Sequence, residues 1–417
     1  MTRHRQDGPS VRAVAMPAVM LAVAVGLATG GCTASPRVVS RSAEAAAPVA
    51  VPLAAGAFVP GASWATVRTG GPSVGGRFWQ LLAQDRATGK WRLVTPPGVA
   101  DNAGLAVTSA PDGTMTAGFV PGQLLKFSPL ARSTDDGAHW AQGLLPAGLA
   151  ADPDSLAALP DGRLVAVTPT EVEESAAGVA ITAAKNWASL VTLRALAATP
   201  GGRRCGLTSL TGTAAVPDGS ALVSGTCSRP GRLGLFSNTG GNWQAIDPLV
   251  SRSAKSAVAY KPAGGPATRP ESVLGLDSST AGVSVLIDVG TGSGHSIVGA
   301  RLAAGAKAWT FYPLAGDTAG AVTSVSGSPS GGWVVMLNGS RAVAAEPAAG
   351  QPANSASARA TSFLAPGPDA TIVPSASGGF TALVPGLSTV TVWQQGASGW
   401  HRTQTIDVAS APAGPSS

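Results

Sequence analysis

Beyond the first thirty or so residues, apolar positions fall in short runs separated by clusters of Gly, Pro, Asp and Ser. No stretch there keeps a helical period over three turns. Short apolar runs bounded by turn chemistry predict strands. One stretch carries the full pattern: runs at 105–110, 114–120, 124–130 and 139–145, with turns at Pro111-Asp112-Gly113 and at 135–137. The triplet returns as Pro160-Asp161-Gly162 and Pro217-Asp218-Gly219, with weaker relatives at Pro329-Ser330-Gly331-Gly332 and Ser375-Ala376-Ser377-Gly378-Gly379. Pro sets one turn dihedral and Gly accepts the positive one, so each triplet predicts a tight hairpin. A second marker, an aromatic after a small or polar turn, recurs as Trp91, Trp140, Trp187, Trp243, Trp309, Phe363 and Trp400.

Each repeat thus reads as four short strands, the fourth led by an aromatic. Four strands per unit of about 40–50 residues is the signature of a β-propeller blade. The predicted fold is all-β, a propeller over residues 57–408 with seven blades near 57–98, 103–148, 154–198, 205–249, 270–315, 320–366 and 369–408. Six or eight blades follow if the terminal units are mis-phased, and a pair of two-sheet sandwiches is the rival architecture. Residues 32–56 and 409–417, small and Pro-rich, read as a spacer and a tail.

The N-terminus has a different pattern. Arg3, Arg5 and Arg12 precede an apolar run at 13–28, and Thr29-Gly30-Gly31 precede Cys32. That order is a secretory signal over residues 1–31, shorter than the ~20 apolar residues of a spanning helix. The segment Leu27-Ala28-Thr29-Gly30-Gly31-Cys32 resembles the bacterial lipobox, with Thr29 where Leu or Val is usual. The resemblance implies cleavage before Cys32, acylation of its thiol and a membrane partner reached through the lipid; a plain signal peptide is the other reading. Two or three acyl chains, at about 0.8 kcal/mol per buried methylene, hold a protein stably.

Charge and cysteine content narrow the picture. Removing the signal leaves 25 basic and 21 acidic residues, from 28 − 3 and 22 − 1. There is no basic run with interleaved aromatics, so nucleic acid is not an expected partner. Arginine outnumbers lysine 22 to 6 and Ala, Gly and Pro abound, a composition of high-GC genomes such as actinobacteria. Cys205 and Cys227 remain as an even pair in an exported chain, which predicts a disulfide; two buried thiols are the alternative. The 217–220 hairpin would set them nearly opposite on the first two strands of the fourth blade. No further Cys or His stands nearby to complete a metal site, and no cofactor is expected.

Ser133-Thr134-Asp135-Asp136-Gly137-Ala138-His139-Trp140 matches Ser-x-Asp-x-Gly-x-x-Trp, and here the chain resembles the Asp-box (BNR-repeat) propellers of the sialidase-like family. Ser237-Asn238-Thr239-Gly240-Gly241-Asn242-Trp243 is a shortened copy without the acid. The resemblance implies that Ser133, Asp135, Gly137 and Trp140 form a structural turn between third and fourth strands, on the face away from substrates. Sialidase activity would need an arginine triad, a Tyr/Glu nucleophile pair and an acid/base Asp. Arg68 lacks the family's early motif, Tyr260 with Glu271 is the lone nucleophile candidate, and Tyr312 follows Trp309 on an outer strand. His139 and His401 neighbour fourth-strand Trp residues, and Gly290-Thr291-Gly292-Ser293-Gly294 reads as a hairpin tip rather than a phosphate loop.

A ligand face is expected at the connections opposite the Asp-box. Two insertions point there: 168–177, a charged loop with Glu171, Glu173 and Glu174, and 251–269, with Arg252, Lys255, Tyr260, Lys261 and Arg269. The expected function is a non-enzymatic binding or assembly platform in the cell envelope, its partner an envelope protein or glycan. The alternative is a divergent exo-glycosidase, or a carbohydrate-binding protein without catalysis.

Overall fold

The computed structural model describes residues 51–408 apart from 52, 60–61, 71–77, 97–104, 111, 120–126, 145–152, 177–185, 247, 249, 254–255, 260–268, 280–281, 292–293, 307, 316–320, 347–359 and 376–378. The strands fall into antiparallel groups of four, numbered here as units one to seven: 53–93, 105–144, 155–192, 207–245, 269–315, 322–364 and 371–407. Units two, three, four, five and seven are separate four-stranded sheets. Units one and six share a single eight-stranded sheet, so the described residues form five separate four-stranded sheets rather than seven. The join is parallel: the first strand, Leu53–Val59, pairs with Val322–Gly327, Leu53 opposite Val325.

That first strand begins inside the stretch read from sequence as a spacer ending at residue 56. Small residues suggested a flexible tether, but they are what a crowded centre requires. A Cβ on Gly56 would lie 2.8 Å from the Trp64 ring, so glycine lets the two strands close on each other. Val51 donates its N–H to the Leu274 carbonyl at 3.4 Å, and Leu53 packs against the core between units five and six.

Neighbouring units pack face to face through small apolar clusters. Trp64, Leu81, Met115 and Phe119 join units one and two; Leu222, Leu235, Val285 and Ile287 join four and five. The last unit packs on the first through Val67, Leu82, Val373, Leu383 and Val392. Three hydrogen bonds reinforce that closure. The Gln404 side chain accepts from Trp91 N–H at 3.1 Å and donates to its carbonyl at 2.6 Å, and Thr371 Oγ1 donates to the Thr66 carbonyl at 2.8 Å. Four-stranded sheets stacked so that the last meets the first make a β-propeller.

Among the described residues α-helix is confined to one connection. Between units three and four lie α1 (Leu193–Ala197) and α2 (Pro200–Cys205). Thr192 and Thr199 cap them through their hydroxyls, accepting from Ala195 and Gly202 N–H, and Gly206 ends α2 at φ +66°. Cys205 therefore ends a helix rather than lying on a strand, while Cys227 ends the strand Ala221–Cys227 as expected. The two are joined by a disulfide with Cα atoms 5.0 Å apart. The bond lies at one end of strand Leu207–Ala215, and the Pro217-Asp218-Gly219 turn lies at the other.

Candidate functional site

The strand directions divide the surface into a turn face, with the hairpins between first and second and between third and fourth strands, and an opposite connection face. On the turn face the Pro-Asp-Gly triplets repeat one geometry. Gly113, Gly162, Gly219 and Gly331 adopt φ of +94°, +83°, +85° and +82°. Each Asp accepts from the N–H two residues on: Asp112 from Thr114 at 2.9 Å, Asp161 from Arg163 at 3.1 Å and Asp218 from Ser220 at 2.9 Å.

The Asp-box turn is equally self-contained. Ser133 Oγ donates to Asp135 Oδ1 at 2.8 Å and accepts from Gly137 N–H at 2.9 Å. The Asp135 carboxylate takes the His139 ring nitrogen at 2.6 Å and the His139 N–H at 2.9 Å. The ring bond first, then the His139 N–H and the Ser133 hydroxyl, hold its pKa well below the usual carboxylate range. Gly137 stands at φ +80°, and a Cβ there would meet Val94 at 2.8 Å. Trp140 donates its indole N–H to the Val94 carbonyl of unit one at 2.8 Å. Trp400 does the same to Leu364 of unit six at 2.9 Å. In both places the fourth-strand aromatic fastens one unit to the one before it.

Between the innermost strands lies a cavity of about 60 Å³, bordered by Trp64, Ser109, Asp154, Thr211, Ser224 and Asp277. It has room for a few waters. Burial raises the pKa of Asp154. Burial likewise pushes Asp277 up to about 7, against one N–H bond from Ser278. Asp277 borders the cavity and keeps some exposed area.

Glu171, Glu173 and Glu174 belong to the strand Glu171–Ser175, the third of unit three, and not to a charged loop. Glu174 lies opposite Val165 in the ladder and forms an ion pair at 2.7 Å with Arg163, which also holds Asp161 at 2.7 Å. Glu173 is half-buried, and its Oε2 has no hydrogen-bond partner among the described residues. Burial, and then the neighbouring Glu171, raise its pKa. The run looked loop-like because it is charged, yet pairing with Arg163 and the ladder places it in a sheet. Of the basic set, Arg252 lies in a two-stranded ribbon, Val250–Ser253 with Ser256–Ala259, and Arg269 opens the strand Arg269–Ser279. Lys255, Tyr260 and Lys261 fall outside the described residues, as does Cys32.

The remaining candidates occupy structural positions. Tyr312 is buried between units five and six and donates its hydroxyl to the Gly331 carbonyl at 2.8 Å; burial holds its pKa well above the ordinary value. Arg68 lies over the Trp79 ring at 5.3 Å. His295 pairs with the fully buried Asp288 at 3.0 Å. Thr291 pairs with Gly294 at the end of the ladder between the strands Gly282–Thr291 and Gly294–Ala303.

No family model and no curated protein matches the chain. Among solved structures it is similar to YCF48 from Cyanidioschyzon merolae at 16% identity and TM-score 0.42, over 84% of this chain and 94% of that one. A structure of YCF48 bound to D1 peptide gives 13% identity and TM-score 0.41, over 80% and 90%. The Dos1 propeller gives 11% identity and TM-score 0.40, over 85% and 86%.

Proposed function

We propose that the protein is an exported lipoprotein, cut before Cys32 and tethered by it, whose propeller is a non-enzymatic binding or assembly platform for an envelope protein. In this reading the eight-stranded sheet is two blades joined at their innermost strands, giving seven. The observation that carries the reading is the central cavity of about 60 Å³. Pockets that enclose a small-molecule substrate run to about 300 Å³ or more. The signal-like residues 1–31 and the lipobox resemblance support the anchor.

Two assays test this. The purified chain is expected to leave a broad panel of glycosides unhydrolysed; turnover lost on Glu271→Gln would sink the platform reading in favour of an exo-glycosidase. In cells, Cys32→Ala is expected to release the protein from the membrane fraction, and continued tight retention would remove the anchor.

A further inference from the structure

The connection face of unit four carries five exposed arginines. Arg194 is on α1, Arg203 and Arg204 are on α2, and Arg229 and Arg232 lie between the strands Ala221–Cys227 and Leu235–Ser237. Several bonds gather these segments. The Cys205–Cys227 disulfide joins the ends of α2 and the strand. Arg229 N–H donates to the Cys205 carbonyl at 3.1 Å and Ser228 N–H to that of Gly206 at 3.0 Å. A Cβ on Gly206 would lie 3.3 Å from Arg229 Cγ, so this side chain runs along the end of α2. The Arg203 guanidinium bonds the Ala198 carbonyl and ties α2 back to α1. Underneath, Gly201 seats α2 against Ala245 of the outermost strand, with no space for a Cβ between them.

None of the five makes an ion pair among the described residues. Between residues 193 and 235 the one acid is Asp218, at the far end of the strand, where it holds its own turn. On the adjoining unit Glu171 stands opposite Thr192, at the border of the crest. Like charges held this close repel in the free protein, and an anionic partner relieves that repulsion.

We propose that this crest docks an acidic peptide segment of a partner protein, with glutamate or aspartate carboxylates held by the arginine forks. The proposal rests on the platform reading and gives it a surface. All five cations are arginine, whose planar fork binds carboxylates in a bidentate manner. The crest is fixed by a disulfide and two capped helices, which lowers the ordering cost of binding. Residues 193–235 contain no aromatic, so there is no stacking platform for bases. Among the described residues the large exposed apolar side chains, Phe78, Leu93, Leu364 and Leu387, all belong to units one, six and seven, and none of that kind lies on the crest segments.

The test uses the full chain and a fluorescein-labelled polyglutamate peptide of about ten residues, read by anisotropy at low salt. Combined Arg203→Glu, Arg204→Glu and Arg229→Glu is expected to weaken binding by about tenfold or more. The same positions changed to Gln should weaken it less, while Lys90→Glu with Arg402→Glu, on other units, should change it by under about twofold. Circular dichroism checks that each variant is folded, and the Gln set carries the test if the Glu set is not. Unchanged affinity in the crest variants overturns the proposal. So does tighter crest-dependent binding of inorganic polyphosphate or phosphatidylglycerol vesicles than of the peptide. Either result leaves the platform reading standing, because that reading falls on glycoside turnover instead.

Discussion

The turn face and the connection face of unit four use charge in opposite ways. On the turn face several described charges are matched within the chain: Arg86 with Asp136 at 2.7 Å, Arg163 with Asp161 and Glu174, Asp135 with His139. Those pairs close turns and fasten one unit to the next. On the crest, five exposed arginines lie on joined segments and none makes an ion pair among the described residues. The first pattern is what a scaffold needs; the second raises the energy of the free protein and has meaning once something binds.

Asp277 is the exception towards the turn end, and it gives the largest expected effect. It sits beside Gly327 of unit six, where an added Cβ would overlap its carboxylate, and its pKa is raised to about 7 from 3.8 by burial. Below pH 4 the carboxyl is protonated in both folded and unfolded chains. Between about 4 and 7 the unfolded chain releases the proton while the folded chain keeps it, so stability falls as pH rises through that window. The full shift corresponds to at most about 4 kcal/mol. Denaturant melts from pH 4 to 8 should show this decline in the wild type and a much flatter profile in Asp277→Asn. Equal slopes in both proteins would remove Asp277 as an unmatched charge.

The disulfide tests whether the crest is held or merely adjacent. Closing a loop with a sequence separation of 22 stabilises by about 3 kcal/mol in the chain-entropy model. Cys227→Ser is expected to lose about that much in a thermal melt. It should also weaken polyglutamate binding, since the two arginine segments are no longer joined. The turn-face bonds of unit two lie in a different sheet, and Trp140 fluorescence there should be unaffected below the melt.

Much of the turn face was legible in the sequence, because its chemistry is local. A Gly that must take positive φ and an Asp that must accept from the N–H two residues on leave a triplet that can be read directly. Trp91 and Trp187 open fourth strands, and Trp140, Trp243 and Trp309 stand one residue before them. The crest was not legible, because its five arginines are spread from 194 to 232 and meet through a disulfide and a helix too short to leave a period. One signal does lie in the sequence: arginines directly precede Cys205 and closely follow Cys227. The parallel pairing of Leu53 with Val325 was hidden by the same cause, a contact made across most of the chain.

The contrast sharpens at the scale of single bonds. Trp140→Phe keeps an aromatic ring against the core cluster of units one and two but deletes the indole N–H that reaches Val94. Removing it leaves the Val94 carbonyl short of a donor at a partly buried junction, at a cost of about 1 kcal/mol. Trp400→Phe should cost a similar amount at the junction of units six and seven, measured by urea denaturation.

The smallest expected effect is the most discriminating. Arg204→Gln removes an exposed crest charge that makes no ion pair among the described residues, so stability should change by no more than about 0.5 kcal/mol. Arg163→Gln on the turn side removes the partner of both Asp161 and Glu174 and leaves two carboxylates near each other. It should destabilise measurably more, and its cost should shrink as salt screens the repulsion. A pair of urea titrations at low and high salt decides the matter. If the two substitutions cost the same, the crest arginines are as engaged as those on the turn face, and the distinction between the two surfaces fails.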